Sequence, residues 1–353
     1  MQPVFSAPYA ICIAVSTSSD ATGSYNVYEF DESSLSGNSK NFPDYPKLGV
    51  WRDAYYTTDN IFANGSTFTG AQACAYNGAA MRSGSVAAAV CFQTSSSFGS
   101  LLPADVDGGT SFQPASGEPE FFLNFGSNSL NLWKFSVNFS GGSTFTGPTN
   151  IPVNAFSEAC NGGSCIPQAN TSEKLDSLGD RLMYRLAYRN FGTHESLVVN
   201  HSIFVSGNRH SQVDGVRWYE IQNPTATAPT VAQDGTYSPS DGNSRWMGSI
   251  AMDHDGDIAL GYSVSSGSIH PEIRYTGRLA SDPANTMTLS EQDAFNGSGS
   301  QTSNLNRWGD YSAMRIDPAD DCTFWYTQEY IPTNGTFNWH TRIVSFKING
   351  SGC

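Results

Sequence analysis

Residues Arg307–Asp317 read RWGDYSAMRID, and Arg245–Asp253 read RWMGSIAMD. Each stretch is an Arg-Trp pair, a few small residues, and a short apolar run closed by Asp, which reads as a strand entering a turn. The same Arg recurs upstream, as Arg181 in DRLMY and Arg52 in VWRDAYY. The interval from Arg181 to Arg245 nearly equals that from Arg245 to Arg307. The interval from Arg52 to Arg181 is about twice as long, and its midpoint near residue 116 reads SGEPE, with no Arg. A fixed period of about 63 residues, with one degenerate copy, is the mark of a tandem structural unit.

Within each unit, runs rich in Val, Ile, Tyr, Phe and Trp alternate with Gly, Asp and Asn turns. The unit from Arg245 reads RWMGSIAMD, DIALGYSVSS, HPEIRYTGRL and MTLSEQDAF. Four antiparallel strands repeated in tandem predict an all-β fold, a single β-propeller domain over residues 1–353. Blades would start near residues 52, 116, 181, 245 and 307, with a partial blade over 1–51, about six in all. The first and last would be incomplete. A period longer than the ~40–50 residues of common repeat propellers calls for extended loops. A pair of β-sandwiches would not repeat an Arg at this interval, and a β-helix would use a shorter one. The best stretch for a short helix is Ser172 to Leu182. An incomplete blade leaves a β edge that Gln2 to Tyr9 would fill by pairing with the last blade; otherwise a neighbouring molecule fills it and the chain self-assembles.

Composition narrows the partners. The formal charge is −14, with only 18 Lys and Arg along the chain. A nucleic-acid surface needs clustered cations to neutralise phosphate, so DNA and RNA are excluded as partners. No apolar run approaches the ~20 residues of a membrane span. The N-terminus, MQPVFSAPYAICIAV, lacks the basic region of a signal peptide, so a targeting segment was removed or the chain begins inside a longer precursor.

Seven cysteines fall at 12, 74, 91, 160, 165, 322 and 353. Cys160 and Cys165 bracket a turn, Cys74 and Cys91 lie on neighbouring predicted strands, and Cys322 is placed to clamp Cys353. Cys12 is left over. The spacing does not fit a zinc site, and disulfides imply an oxidising, extracellular compartment. Seven Asn-X-Ser/Thr sequons, among them Asn64-Gly65-Ser66 and Asn334-Gly335-Thr336, permit the glycosylation of a secreted glycoprotein.

Longer strings carry a resemblance. Cys12–Ser16 (CIAVS), Asp44–Trp51 (DYPKLGVW), Leu102–Gly108 (LPADVDG), Asp180–Arg189 (DRLMYRLAYR), His194–His201 (HESLVVNH) and Arg307–Tyr311 (RWGDY) are similar to a family of large secreted bacterial β-propeller proteins. The similarity covers essentially the whole chain. It implies secretion and the propeller fold; no activity is established for that family. Its members carry an upstream segment that this chain lacks, which fits a start inside a blade. A weaker likeness is to sialidase-type propellers, whose Asp box is only echoed in Asp253-His254-Asp255-Gly256-Asp257.

In a propeller the first strand of each blade lines the central channel, so residues recurring at its start form a ring. Arg52, Arg181, Arg245 and Arg307 would meet near one mouth, with Asp53, Asp180, Asp310 and Tyr311 among them. The guanidinium fork suits carboxylate or sulfate, as on an acidic polysaccharide. Alternatively each Arg pairs with an Asp and braces the ring. His194, with Tyr311 or Glu195, would serve as base in a uronate lyase, and Asp53 with Asp310 as the acid pair of a glycoside hydrolase. His201 shares strand parity with Glu195 and is equally readable as a satisfied core histidine. Asp253, Asp255 and Asp257 around Gly256 offer hard oxygen ligands suited to Ca²⁺, or an ordinary Asp-Gly hairpin turn. No cofactor is required. Two functions stay open: a secreted protein that binds and cleaves an extracellular carbohydrate, or a non-catalytic binding, adhesion or surface-assembly module.

Overall fold

The computed structural model describes residues 1–109, 112–208, 212–348 and 352–353. Strands hold 49% of the residues and helix 4%. Helix is far below the roughly one-third of an average soluble protein, so the chain is all-β. None of the described helices is long and apolar enough to cross a membrane. The chain forms two compact units: Met1–Val106, Pro114–Gly126 and Leu130–Asn150 in the first, and Asp107–Gln113, Ser127–Ser129 and Ile151–Cys353 in the second.

In the first unit, β1 (Gln2–Pro3), β2 (Ala10–Ser16) and β3 (Tyr25–Asp31) form a sheet in that order. Gln2 and Pro3 pair with Cys12 and Ile11 of β2, so the N-terminal segment adds its strand to the first sheet rather than to the last blade. The next sheet is β4 (Phe42–Val50), β5 (Tyr55–Ala63), β6 (Thr67–Tyr76) and β7 (Ala89–Gln93), also in chain order. Pro43 and Pro46 are tolerated in β4 because it opens that order and carries a register break between Asp44 and Lys47. Cys74 and Cys91 are direct partners on β6 and β7 and are joined by a disulfide. Strands β8 (Leu102–Val106), β9 (Glu120–Gly126), β10 (Ser129–Ser136) and β11 (Thr144–Pro152) run in the order β11-β10-β9-β8. Ile11, Ile13, Tyr76 and Met81 are fully or almost fully buried in the core beside Cys74.

The second unit begins with a two-stranded ribbon, β12 (Ser164–Ile166) and β13 (Leu175–Asp176). No helix forms over Ser172 to Leu182; Leu175 is buried in this ribbon, and turns flank it. Antiparallel runs follow in chain order: β14 (Met183–Asn190), β15 (Glu195–Ser206), β16 (Val213–Gln222) and β17 (Thr230–Tyr237); then β18 (Ser244–Met252), β19 (Ile258–Ser265), β20 (Glu272–Arg278) and β21 (Gln292–Phe295); then β22 (Ala313–Ile316), β23 (Phe324–Tyr330) and β24 (His340–Phe346).

The repeated motif has a shared local geometry. Arg181 and Arg307 precede β14 and β22, and Arg245 lies inside β18, whereas Arg52 falls in the turn between β4 and β5. Trp246 and Trp308 sit 6.0 Å apart, centroid to centroid. They share one buried cluster with Ile166, Met183, Met247 and Ile331. The residue after each Trp takes a positive φ, 51° at Met247 and 86° at Gly309. A Cβ on Gly309 would stand 2.8 Å from the Met247 sulfur, so the two copies fit only with glycine there.

Glu329 of β23 accepts the Gly309 N–H at 2.9 Å. Burial, reinforced by Asp310, pushes its carboxyl up to about 7. The folded state thus holds this proton to a higher pH than the unfolded chain, and stability drains as pH rises from the ordinary carboxylate range to about 7. Glu329→Gln keeps an acceptor for Gly309 and abolishes the titration. Its urea midpoint should fall less between pH 5 and pH 8 than the wild type's; equal falls would refute the assignment.

Candidate functional site

The four repeated arginines have separate partners. Arg245 is fully buried, and all five of its N–H donors are engaged: Nε and Nη2 on Glu291 at 2.7 and 3.0 Å, Nη1 and Nη2 on Asp241 at 3.0 and 2.7 Å, and Nη1 on the Asn243 carbonyl at 3.1 Å. Such a guanidinium has no fork left for a ligand. Arg181 chelates Asp180 through Nε and Nη2, both at 2.8 Å. Arg307 pairs with Asp310 and is mostly exposed. Arg52, in the first unit, donates to the Pro114 carbonyl at 3.1 Å.

The acid and base candidates each have local partners. Asp53 belongs to the first unit, where it accepts the Tyr56 hydroxyl at 3.1 Å; burial raises its pKa. Asp310 and Tyr311 adjoin the tryptophan cluster, which Tyr311 packs against. His194 stacks on Phe191, 5.0 Å away, and lines a cavity of about 230 Å³ with Glu220, Gln222, Gln233 and Asp255. His201 is fully buried against Phe156 and Tyr219, with Nε2 2.9 Å from the Tyr219 hydroxyl; burial drops it to about 3, so it stays neutral. Glu195 accepts the Tyr188 hydroxyl at 2.8 Å.

The Asp253–Asp257 turn uses its carboxylates separately. Asp253 Oδ1 accepts the N–H groups of Asp255 and Asp257 at 3.0 and 2.9 Å, and Asp257 Oδ1 accepts that of Ala280 at 2.7 Å. Asp255 faces His254 and Gly352. The three carboxylates do not converge on one point.

A larger cavity of about 720 Å³ opens in the second unit beside the Cys160–Cys165 disulfide. Its wall is the loop Glu158–Cys165, in which Cys160, Asn161 and Gly162 take successive positive φ values of 53°, 51° and 78°. Asn tolerates this left-handed region and Gly is at home there. A Cβ on Gly162 would meet Asp180 Cβ at 3.1 Å and Glu158 Oε2 at 3.3 Å. The tight turn therefore seats Glu158 and the Asp180–Arg181 pair side by side. Burial raises the Glu158 carboxyl, and Asp180 adds to the rise. Below the disulfide, Asp214 Oδ2 lies 3.9 and 3.7 Å from the two sulfurs, while Gln212 donates to Oδ1 at 2.5 Å. Burial pushes Asp214 up to about 6, partly offset by the Gln212 hydrogen bond. Glu158, Asn161, Asn208 and Gln212 supply planar polar groups to the cavity, and Phe204 and the disulfide supply an apolar surface.

Sequence reasoning noticed the disulfide turn but assigned it no binding role. It also passed over Arg185 and Arg189. Arg185 Nη1 reaches Asp107 Oδ2 at 2.6 Å and the Met314 carbonyl at 2.9 Å. Arg189 forks onto Asp321 with both contacts at 2.8 Å. The signal was the even spacing of Arg181, Arg185 and Arg189.

No protein family and no curated protein matches the chain. Among solved structures it is similar to a protein of unknown function from Dyadobacter fermentans DSM 18053 (10% identity, 87% of this chain and 80% of that one, TM-score 0.43). It is also similar to an alpha-L-arabinofuranosidase from Lactobacillus brevis (12% identity, 88% and 92%, TM-score 0.37). A third likeness is to a protein described as an RGII complex (10% identity, 88% and 89%, TM-score 0.41). At these scores the likenesses assign no activity to this chain.

Proposed function

We propose that this is a secreted β-propeller that binds an extracellular polysaccharide in the cavity beside the Cys160–Cys165 loop. The antiparallel sheets β1–β3, β4–β7, β18–β21 and β22–β24, each of three or four strands, support a blade as the repeating unit. Three disulfides support an oxidising compartment. The observation that carries the binding role is the lining of the 720 Å³ cavity. Amide and carboxylate planes match the paired hydroxyls of a sugar ring, and Phe204 with the disulfide offers a surface for its C–H face. Arg245, with every donor engaged by Asp241, Glu291 and the Asn243 carbonyl, has no fork for a uronate, which favours the cavity over the arginines as the binding site.

The test is calorimetric titration with neutral and uronate-containing polysaccharides. Asn161→Gly keeps the left-handed turn and deletes an amide; Glu158→Gln removes a charge. A hydrogen bond to a charged group is worth about 1.5–3 kcal/mol, so the double variant should bind roughly tenfold or more weakly. Asp53→Asn, in the first unit, should bind normally. Absence of binding to every polymer, or full affinity in the double variant, would overturn the reading. Release of reducing ends by the wild-type chain would shift it from binding to hydrolysis.

A further inference from the structure

Beside the Asp253 turn, two potential ligands, His254 and Asp253, adjoin the Cys322–Cys353 disulfide. His254 Nδ1 lies 3.3 Å from Cys322 Sγ and 3.4 Å from Cys353 Sγ. Asp253 Oδ2 lies 3.7 Å from Cys353 Sγ. A tetrahedral zinc ion, with bonds of about 2.3 Å to sulfur and about 2.0–2.2 Å to nitrogen or oxygen, sets sulfur about 3.5 Å from each of the other ligands. The imidazole already stands at that spacing from both sulfurs, and the carboxylate nearly so from Cys353. The two sulfurs must part, to about 3.8 Å, from cysteine Cα atoms 5.6 Å apart, and Asp253 Oδ2 must close on the other ligands.

The groups behind these ligands are also in place. His254 Nε2 lies 3.2 Å from Asp255 Oδ1, the carboxylate–histidine arrangement that fixes the tautomer and leaves the other nitrogen's lone pair for a metal. His254 Nδ1 is also 3.3 Å from the Asp321 carbonyl, but that oxygen is satisfied by the His254 backbone N–H at 3.1 Å. Asp255 Oδ2 accepts the Gly352 N–H at 2.7 Å, anchoring the chain next to Cys353. Asp253 Oδ1 is held by two backbone N–H groups, which turns Oδ2 toward the sulfur. The other disulfide near a carboxylate, Cys160–Cys165 with Asp214, has no histidine among its described neighbours.

We propose that reduction of Cys322–Cys353 converts this corner into a tetrahedral zinc-type site held by Cys322, Cys353 and His254, with Asp253 moving in as the fourth ligand. With a trialkylphosphine as reductant, the phosphine takes oxygen from water to become its oxide, and the disulfide becomes two thiols. A divalent ion then displaces the two thiol protons and binds both thiolates.

The full chain, reduced with phosphine under argon, is titrated with Co²⁺. One equivalent should give tetrahedral cobalt absorption with a thiolate-to-cobalt charge-transfer band, absent from the oxidised protein. His254→Ala should weaken binding by more than the roughly 10–100-fold caused by loss of an outer partner. A Cys160→Ala/Cys165→Ala variant should keep the band. The proposal is overturned by an octahedral spectrum, by equal affinity in His254→Ala, by loss of the band in the Cys160/Cys165 variant, or by a reduced chain whose β circular dichroism is lost and not restored by cobalt.

Discussion

Asp107→Ala is expected to cost about 3–5 kcal/mol, because it takes a carboxylate partner from a buried guanidinium. Arg185 is fully buried; its Nη1 lies 2.6 Å from Asp107 Oδ2, and the carboxylate is itself 5% exposed. In water each ion would be solvated; here the guanidinium is held by Asp107 and by the Met314 carbonyl. Removing the carboxylate leaves a guanidinium that cannot shed its proton. Replacing both, as Asp107→Leu with Arg185→Met, should recover much of the loss, since an apolar pair of similar volume carries no desolvation cost. Equilibrium urea denaturation of the three variants checks both statements. A single-variant loss below about 1 kcal/mol would place this pair with weak surface ion pairs.

That pair shows where sequence reading reached and where it stopped. The β class was legible because Val, Ile, Tyr and Phe runs punctuated by Gly and Asn favour strands whatever their neighbours. The disulfide turn was legible because Cys160 and Cys165 are close along the chain. The pairing of Arg185 was not legible, although its spacing from Arg181 and Arg189 was, because its partner Asp107 comes from a distant Asp-Val-Asp-Gly turn that reads as an ordinary hairpin signal. The period singled out Arg245, but period alone does not say that Asp241, Glu291 and the Asn243 carbonyl engage every donor. The cavity needs residues near 160 and near 204–212 together, and pairing of Glu158 with Ile203 is what brings them there. The Ser172 to Leu182 stretch has helical local preferences, but Leu175 and Leu178 are drawn into the tryptophan cluster instead.

The second large effect concerns the repeated tryptophans. Trp308→Ala should destabilise the protein by about 3–5 kcal/mol, the range for emptying a buried aromatic site. Trp308 is 2% exposed and its Nε1–H donates to Ser263 Oγ at 3.0 Å, so truncation opens a void and orphans a buried hydroxyl. Trp246 differs. It is fully buried beside Trp308, yet its Nε1 has no hydrogen-bond partner among the described residues. Trp246→Phe therefore removes an unsatisfied donor along with some volume and should cost less than about 1.5 kcal/mol. Trp308→Phe loses a made hydrogen bond and should cost more than its counterpart. Cys160 packs against this same cluster, so the void from Trp308→Ala should also loosen the loop bounding the cavity and weaken polysaccharide binding. Urea midpoints for all three variants, with binding titrations run well below each midpoint, separate the two consequences. Equal costs for Trp246→Phe and Trp308→Phe would show that the Ser263 hydrogen bond contributes nothing, and unchanged binding in Trp308→Ala would uncouple the tryptophan floor from the cavity above it.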